Sequence, residues 1–242
     1  MQTWQLWTPD EIYNEIKLIE PQLESWNAKS DPAQIKLQKY LDEIERELGY
    51  IPSIGNRLFL HMDIDVLKQE HLLQHHDLDN YLYPIVKRLG AARFIYVSAT
   101  KRVWGGSRLV IGQAKPINEL AKEESWQHFS YNAGNTSVQK PSWKQQLREA
   151  LNATQSQQLQ SGPVEVNLVW LCSSQRNWAS LWKPTIDAMG PVLGEPFSSR
   201  PFYPNDDRIV SLALHLNIDD RIGWSVQVGM MWRLAPIDTK AE

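Results

Sequence analysis

The stretch DLDN, residues 77–80, sets two carboxylates two positions apart and follows them with an amide. Acids so spaced at the entry of a helix can do one of two things. They can cap it, accepting backbone N–H bonds and complementing the positive end of the dipole. Alternatively, they can bind a hard divalent cation, since carboxylate oxygens are the ligands that Mg²⁺ takes. Such an ion activates water and stabilises displacement at phosphorus. A second pair, Asp206 and Asp207, stands directly before the apolar run RIVSLALHL. It is either a polar turn entering a strand or the further carboxylate that the first pair needs. Residues 80–118 carry Lys87, Arg88, Arg93, Lys101, Arg102, Arg108 and Lys115 and no acid. The run is either a solvated face with snorkelling side chains or a patch that tracks phosphates beside Asp77 and Asp79.

Other chemistry-bearing residues point less far. His71 and His75 are four apart and His76 adjoins Asp77, but no second His or Cys cluster completes a zinc site. These histidines are expected in the loop before the acids, facing phosphate or solvent. Trp104, beside Gly105–Gly106, either stacks on an unpaired base or packs on a neighbour. Cys172 is the only cysteine, so no internal disulfide forms and the expectation is an inert buried thiol in a cytoplasmic protein. No P-loop or dinucleotide-binding glycine pattern occurs.

The elements that must position these residues follow from periodicity. The chain has 242 residues, 42% of them hydrophobic, with eleven tryptophans and a formal charge of −3. It can bury a sizeable core, and its overall charge excludes a generic nucleic-acid binder. No signal peptide is visible, and no stretch approaches the roughly 18–20 apolar residues of a membrane span. The segment TPDEIYNEIKLIEPQL reads as a helix opened by Thr8 and Pro9, and SDPAQIKLQKYLDEIERELGYIP as a second one opened by Asp31–Pro32. LFLHMDIDV alternates as a half-buried strand. PIVKRLG ends a helix, and RFIYVSATKRVWGGSRLVIGQA reads as a hairpin about Gly105–Gly106. Residues 117–130 and 141–158 read as helices joined by a polar loop, VEVNLVWLC as a strand and 178–189 as a helix. DDRIVSLALHLNIDDRIGWSVQVGMMWRL reads as a second hairpin.

Strand, helix and hairpin thus occur twice. Asp77–Gly90 aligns without a gap on Asn177–Gly190, bringing Pro84 onto Pro184. Beyond an insertion in the second copy, Arg93 falls on Arg208 and Gly112 near Gly229. The expectation is an internal duplication, a covalent pseudo-dimer. Its parts are an N-terminal helical region (1–52), a first unit (53–116), a helical connector (117–160) and a second unit (161–236).

The order DLDN, then a helix carrying lysine in LWKPTIDAMG (181–190), then NDDRIV (205–210) before a strand, resembles the RusA family of Holliday junction resolvases. Those are small dimeric Mg²⁺-dependent nucleases of four-way DNA. The resemblance covers about residues 55–115 and 163–235. It implies an α+β fold of two RusA-like β-α-β-β units, with extra helices at the N-terminus and between the units. It also implies Mg²⁺ held by Asp77, Asp79, Asp206 and Asp207, with Lys183 neutralising developing charge. The implied partner is branched DNA, contacted by Lys87, Arg88, Arg93, Lys101, Arg102 and Arg108. Further self-association is compatible with the resemblance. The chain also departs from the family pattern. Tyr83 and Ala91–Ala92 stand in the first copy where the lysine and later acids belong, and Asn177, Ala179 and Ser180 stand in the second where DLDN belongs. The losses are reciprocal. Either one composite site closes across the two copies, or the protein is catalytically inactive and binds branched DNA or a protein partner.

Overall fold

The computed structural model describes residues 4–25, 27–52, 57–74, 77–103, 105–117, 125–154, 159, 161–197 and 199–236. The fold is α+β, a single mixed sheet with helices on one face. The strands are β1 (Leu6–Leu18), β2 (Leu58–Asp65), β3 (Phe94–Arg102), β4 (Ser107–Ile117), β5 (Gln127–Gly134), β6 (Val164–Cys172), β7 (Ile209–Ile218) and β8 (Val226–Leu234). Among the described residues the α-helices are α1 (Pro32–Leu48), α2 (Leu78–Leu89), α3 (Pro141–Thr154), α4 (Trp182–Asp187) and α5 (Gly190–Leu193).

The spatial order is β1-β4-β2-β3-β7-β6-β8-β5. β2 lies parallel to β3 and antiparallel to β4, and β6 lies parallel to β7 and antiparallel to β8. β1 adds to β4 at one edge and β5 adds to β8 at the other, both antiparallel. The halves meet where β3 pairs antiparallel with β7. One series of pairings is therefore written twice about the β3–β7 seam. Two arginines also do the same work in each half. Arg93 donates to the carbonyls of Leu89 and Ile51, and Arg208 to those of Leu193 and Gly162, each clamping a helix end to the entry of a strand.

Several expectations change. Residues 8–18 are strand, not helix, and Pro9 is tolerated because β1 is an edge strand that needs no donor there. Bulges at Pro9–Glu11 and Ile12–Asn14 fit its irregular pattern to β4. Residues 127–134, expected within a helix and a loop, form β5, and 118–124 lie outside the described residues. Neither expected hairpin forms, because β2 is inserted between β3 and β4, and β6 between β7 and β8. Each unit is a split β-α-β. The N-terminal region and connector are thus not helical appendages, because each supplies an edge strand to the common sheet. No helix among the described residues is long and apolar enough to cross a membrane.

The helix-covered face carries the main core. Leu60, Met62, Val97, Leu168, Trp170 and Leu214 are fully buried under the helices. The opposite face is polar in the first half. There Asp63 receives Arg108 (2.5 Å), Arg102 (2.8 Å) and Thr100 (2.5 Å). In the second half the start of the chain covers this face. Trp7 N–H donates to His215 Nδ1 (3.1 Å), its indole donates to the Leu216 carbonyl, and Gln5 and Asn217 exchange two hydrogen bonds.

Candidate functional site

α2 begins after Asp77, whose side chain makes no capping bond. It accepts instead from the Asn80 side-chain amide at 2.9 Å. Capping therefore does not account for the first acid, and Asp79 is buried, only 4% exposed. α2 and α4 lie side by side and run in opposite directions. The Tyr83 ring packs edge-on against Trp182, and the Trp178 indole donates to the Ala91 carbonyl. This packing brings the front of α2 against Lys183 of α4. The Lys183 ammonium is 2.8 Å from Asp206, 3.8 Å from Asp79, 3.9 Å from Asp77 and 3.7 Å from Asp187. Asp207 adds its backbone carbonyl, which accepts from the buried Lys101 ammonium at 2.5 Å.

So Asp77 and Asp79 of the first half meet Lys183, Asp206 and Asp207 of the second. The cluster is crowded with negative charge. Burial, reinforced by Asp206, pushes the Asp77 carboxyl up to about 8. Burial pushes Asp79 up to about 6 even with the Lys183 ammonium opposing it. Burial disfavours the charged form of Lys183, but Asp79 and Asp206 outweigh it and raise its pKa. Burial lowers Lys101 to about 8 against the pull of Asp207.

The donor set is right in kind and charge for a hard divalent cation: several buried carboxylates, short of positive charge. Among the described residues, however, no group of three His, Cys, Asp or Glu side chains is drawn together closely enough to hold an ion. The Lys183 ammonium stands in the middle as the cluster's own counter-ion.

The predicted basic patch does not assemble. Arg88 is held by Asp42 and Glu45 of α1, and Arg93 by the two carbonyls named above. Arg102 and Arg108 lie on the opposite sheet face around Asp63, and Lys115 pairs with Asp10. Lys101 points to Asp207. Lys87 alone stays exposed beside the site, its ammonium 5.6 Å from the Tyr83 ring centroid. His75, His76 and Trp104 lie outside the described residues.

Three participants escaped the sequence. Asp187 is four residues after Lys183, a helical spacing that could have revealed it. Lys144 of α3 reaches Asp187 at 3.0 Å across a separation that leaves no local trace. Glu24, anchored by its backbone N–H to the Asn80 carbonyl, lines a cavity of about 270 Å³ with Tyr83 and Trp182 beside Asp79, and burial lifts its carboxyl to about 7. No family model matches this chain, and no curated protein matches it.

Proposed function

We propose that this chain is a divergent RusA-like, structure-specific DNA endonuclease, an intrachain pseudo-dimer with one composite active site. One observation carries the reading: acids that open a helix in one half converge on a lysine and an acid pair from the other half. The repeated strand order and the matched arginine clamps support the duplication. Asp77, Asp79, Asp206 and Asp207 are the residues that would hold Mg²⁺. Bound there, Mg²⁺ supplies Lewis-acid stabilisation and a water of lowered pKa. Lys183 neutralises charge on the phosphoryl oxygens. Lys101 fixes the backbone of Asp207 and so the direction of that acid.

Cleavage of a labelled four-way DNA junction in Mg²⁺, beside a linear duplex of the same sequence, tests this. The expected result is junction cleavage that Asp79→Asn reduces on the order of 100-fold or more. Equal cleavage by Asp79→Asn would remove the site assignment.

The central place of Lys183 and the pairing of most basic residues favour a second reading, a non-catalytic protein that binds branched DNA or a protein partner. Junction binding without cleavage in any divalent ion would select it.

A further inference from the structure

The α2–α4 pair has two ends, and only one carries the acids. At the other end lies a cavity of about 370 Å³. Its walls are the counterparts of the composite site, residue for residue under the alignment above. Tyr83 stands for Lys183, Ala91 and Ala92 for Asp206 and Asp207, and Asn177 for Asp77. The structure places these residues together, as it does their counterparts: all four line this one cavity, and the Trp178 indole ties α4 to Ala91.

The charge is reversed. No acid lines the cavity, whereas Lys87 and Arg176 do. Neither has an ion-pair partner among the described residues. Lys87 is exposed beside the Tyr83 ring. Arg176 lies 5.5 Å from the centroid of the Trp224 ring and gives one N–H to that residue's carbonyl. Its Nε is buried and has no hydrogen-bond partner. Asp220 is engaged by Ser174 and does not line the cavity.

We infer that this cavity is a phosphate-binding site, the sister of the composite site converted from acid cluster to anion receptor by loss of its carboxylates and exposure of Lys87 and Arg176. The ligand is a phosphate group of a nucleic-acid backbone. A planar guanidinium with an open Nε–H and a nearby ammonium together suit phosphate oxygens. Choice of the DNA backbone rests on the pseudo-dimer reading above. A four-way junction presents equivalent phosphates about a two-fold axis, so a protein of the same symmetry would engage one at each end of the α2–α4 pair.

Two measurements keep the two ideas apart. Inorganic phosphate is titrated into the full-length protein while the Nε–H signal of Arg176 is followed by ¹⁵N NMR. A saturable shift is expected, at least tenfold weaker in Lys87→Gln. An absent or non-saturable shift, or the same affinity in Lys87→Gln, overturns the inference whatever the protein does with DNA. In parallel, four-way junction binding is measured against salt for wild type and for Lys87→Gln/Arg176→Gln. The variant should bind more weakly, with a log–log salt slope shallower by about 2, roughly one per lost phosphate contact. A wild type that binds junctions and a variant with unchanged affinity and slope would also sink the inference. A phosphate shift without junction binding keeps the anion site and overturns both the DNA reading and the choice of backbone phosphate as ligand.

Discussion

Lys183 is the residue on which the acid cluster balances. Its ammonium has four carboxylates within 4 Å and is itself 41% exposed. Lys183→Met removes the only ammonium among those acids. At pH 8 the variant should lose about 1–3 kcal/mol of stability, below the figure for fully buried pairs because of that exposure. The sign with pH follows from Asp77 and Asp79, whose carboxyls are raised to about 8 and about 6. Below those values they bind protons in the folded state, so less charge is left uncompensated and the loss at pH 5 should be smaller. Urea denaturation at both pH values checks this, and an equal loss at both would contradict it. At this scale the sequence was informative where spacing carried the signal. Asp77, Asp79, Lys183 and Asp206 were all nameable from short motifs. Arg88, Arg93, Arg102 and Arg108 were misread as phosphate ligands because their partners, Asp42, Ile51 and Asp63, are 39 to 46 positions away in sequence.

At the scale of the element, local signals were right inside each unit and wrong at its edges. β2, β3, β4, α2 and β6–β8 follow from alternation, Pro and Gly. β1 does not, because its Thr-Pro-Asp-Glu opening imitates a helix start while the edge of β4 supplies the pairing that decides its form. Close approach of β1 to β4 depends on Gly112, where an added Cβ would lie 1.9 Å from the Glu11 carbonyl oxygen and 2.8 Å from Phe59. Gly112→Ala should therefore destabilise by about 1–3 kcal/mol, seen as a lower Tm with the sheet signature retained.

The segment that covers the second half is sensitive to acid. His215 is buried, stacks on Tyr96 and accepts the Trp7 N–H at Nδ1, so it must stay neutral there. Burial lowers it to about 3. The unfolded chain takes up that proton near pH 6.5, so this residue's contribution to stability is complete above about pH 6.5 and is lost as pH falls toward 3. Tm measured over that range should fall less steeply in His215→Gln. Parallel curves would mean the residue titrates normally.

At the scale of the molecule, the β3–β7 seam joins two similar halves and the chemistry is unequal between them. One acid cluster and one acid-free cavity occupy the ends of the α2–α4 pair. A nuclease so built cuts one strand at each engagement. On a supercoiled plasmid with an extruded cruciform the expected product is nicked circle. Linear DNA formed at the same rate would show that two sites act.

The hydrogen bonds of Gln5 with Asn217 span 212 positions of sequence. Translation must pass β7 before Trp7 finds its histidine, so the lid over the second half is the last region the ribosome can complete. A nascent chain paused within β6 would display the bare sheet surface that Trp4 to Trp7 later shield, and chaperone dependence should peak at that length.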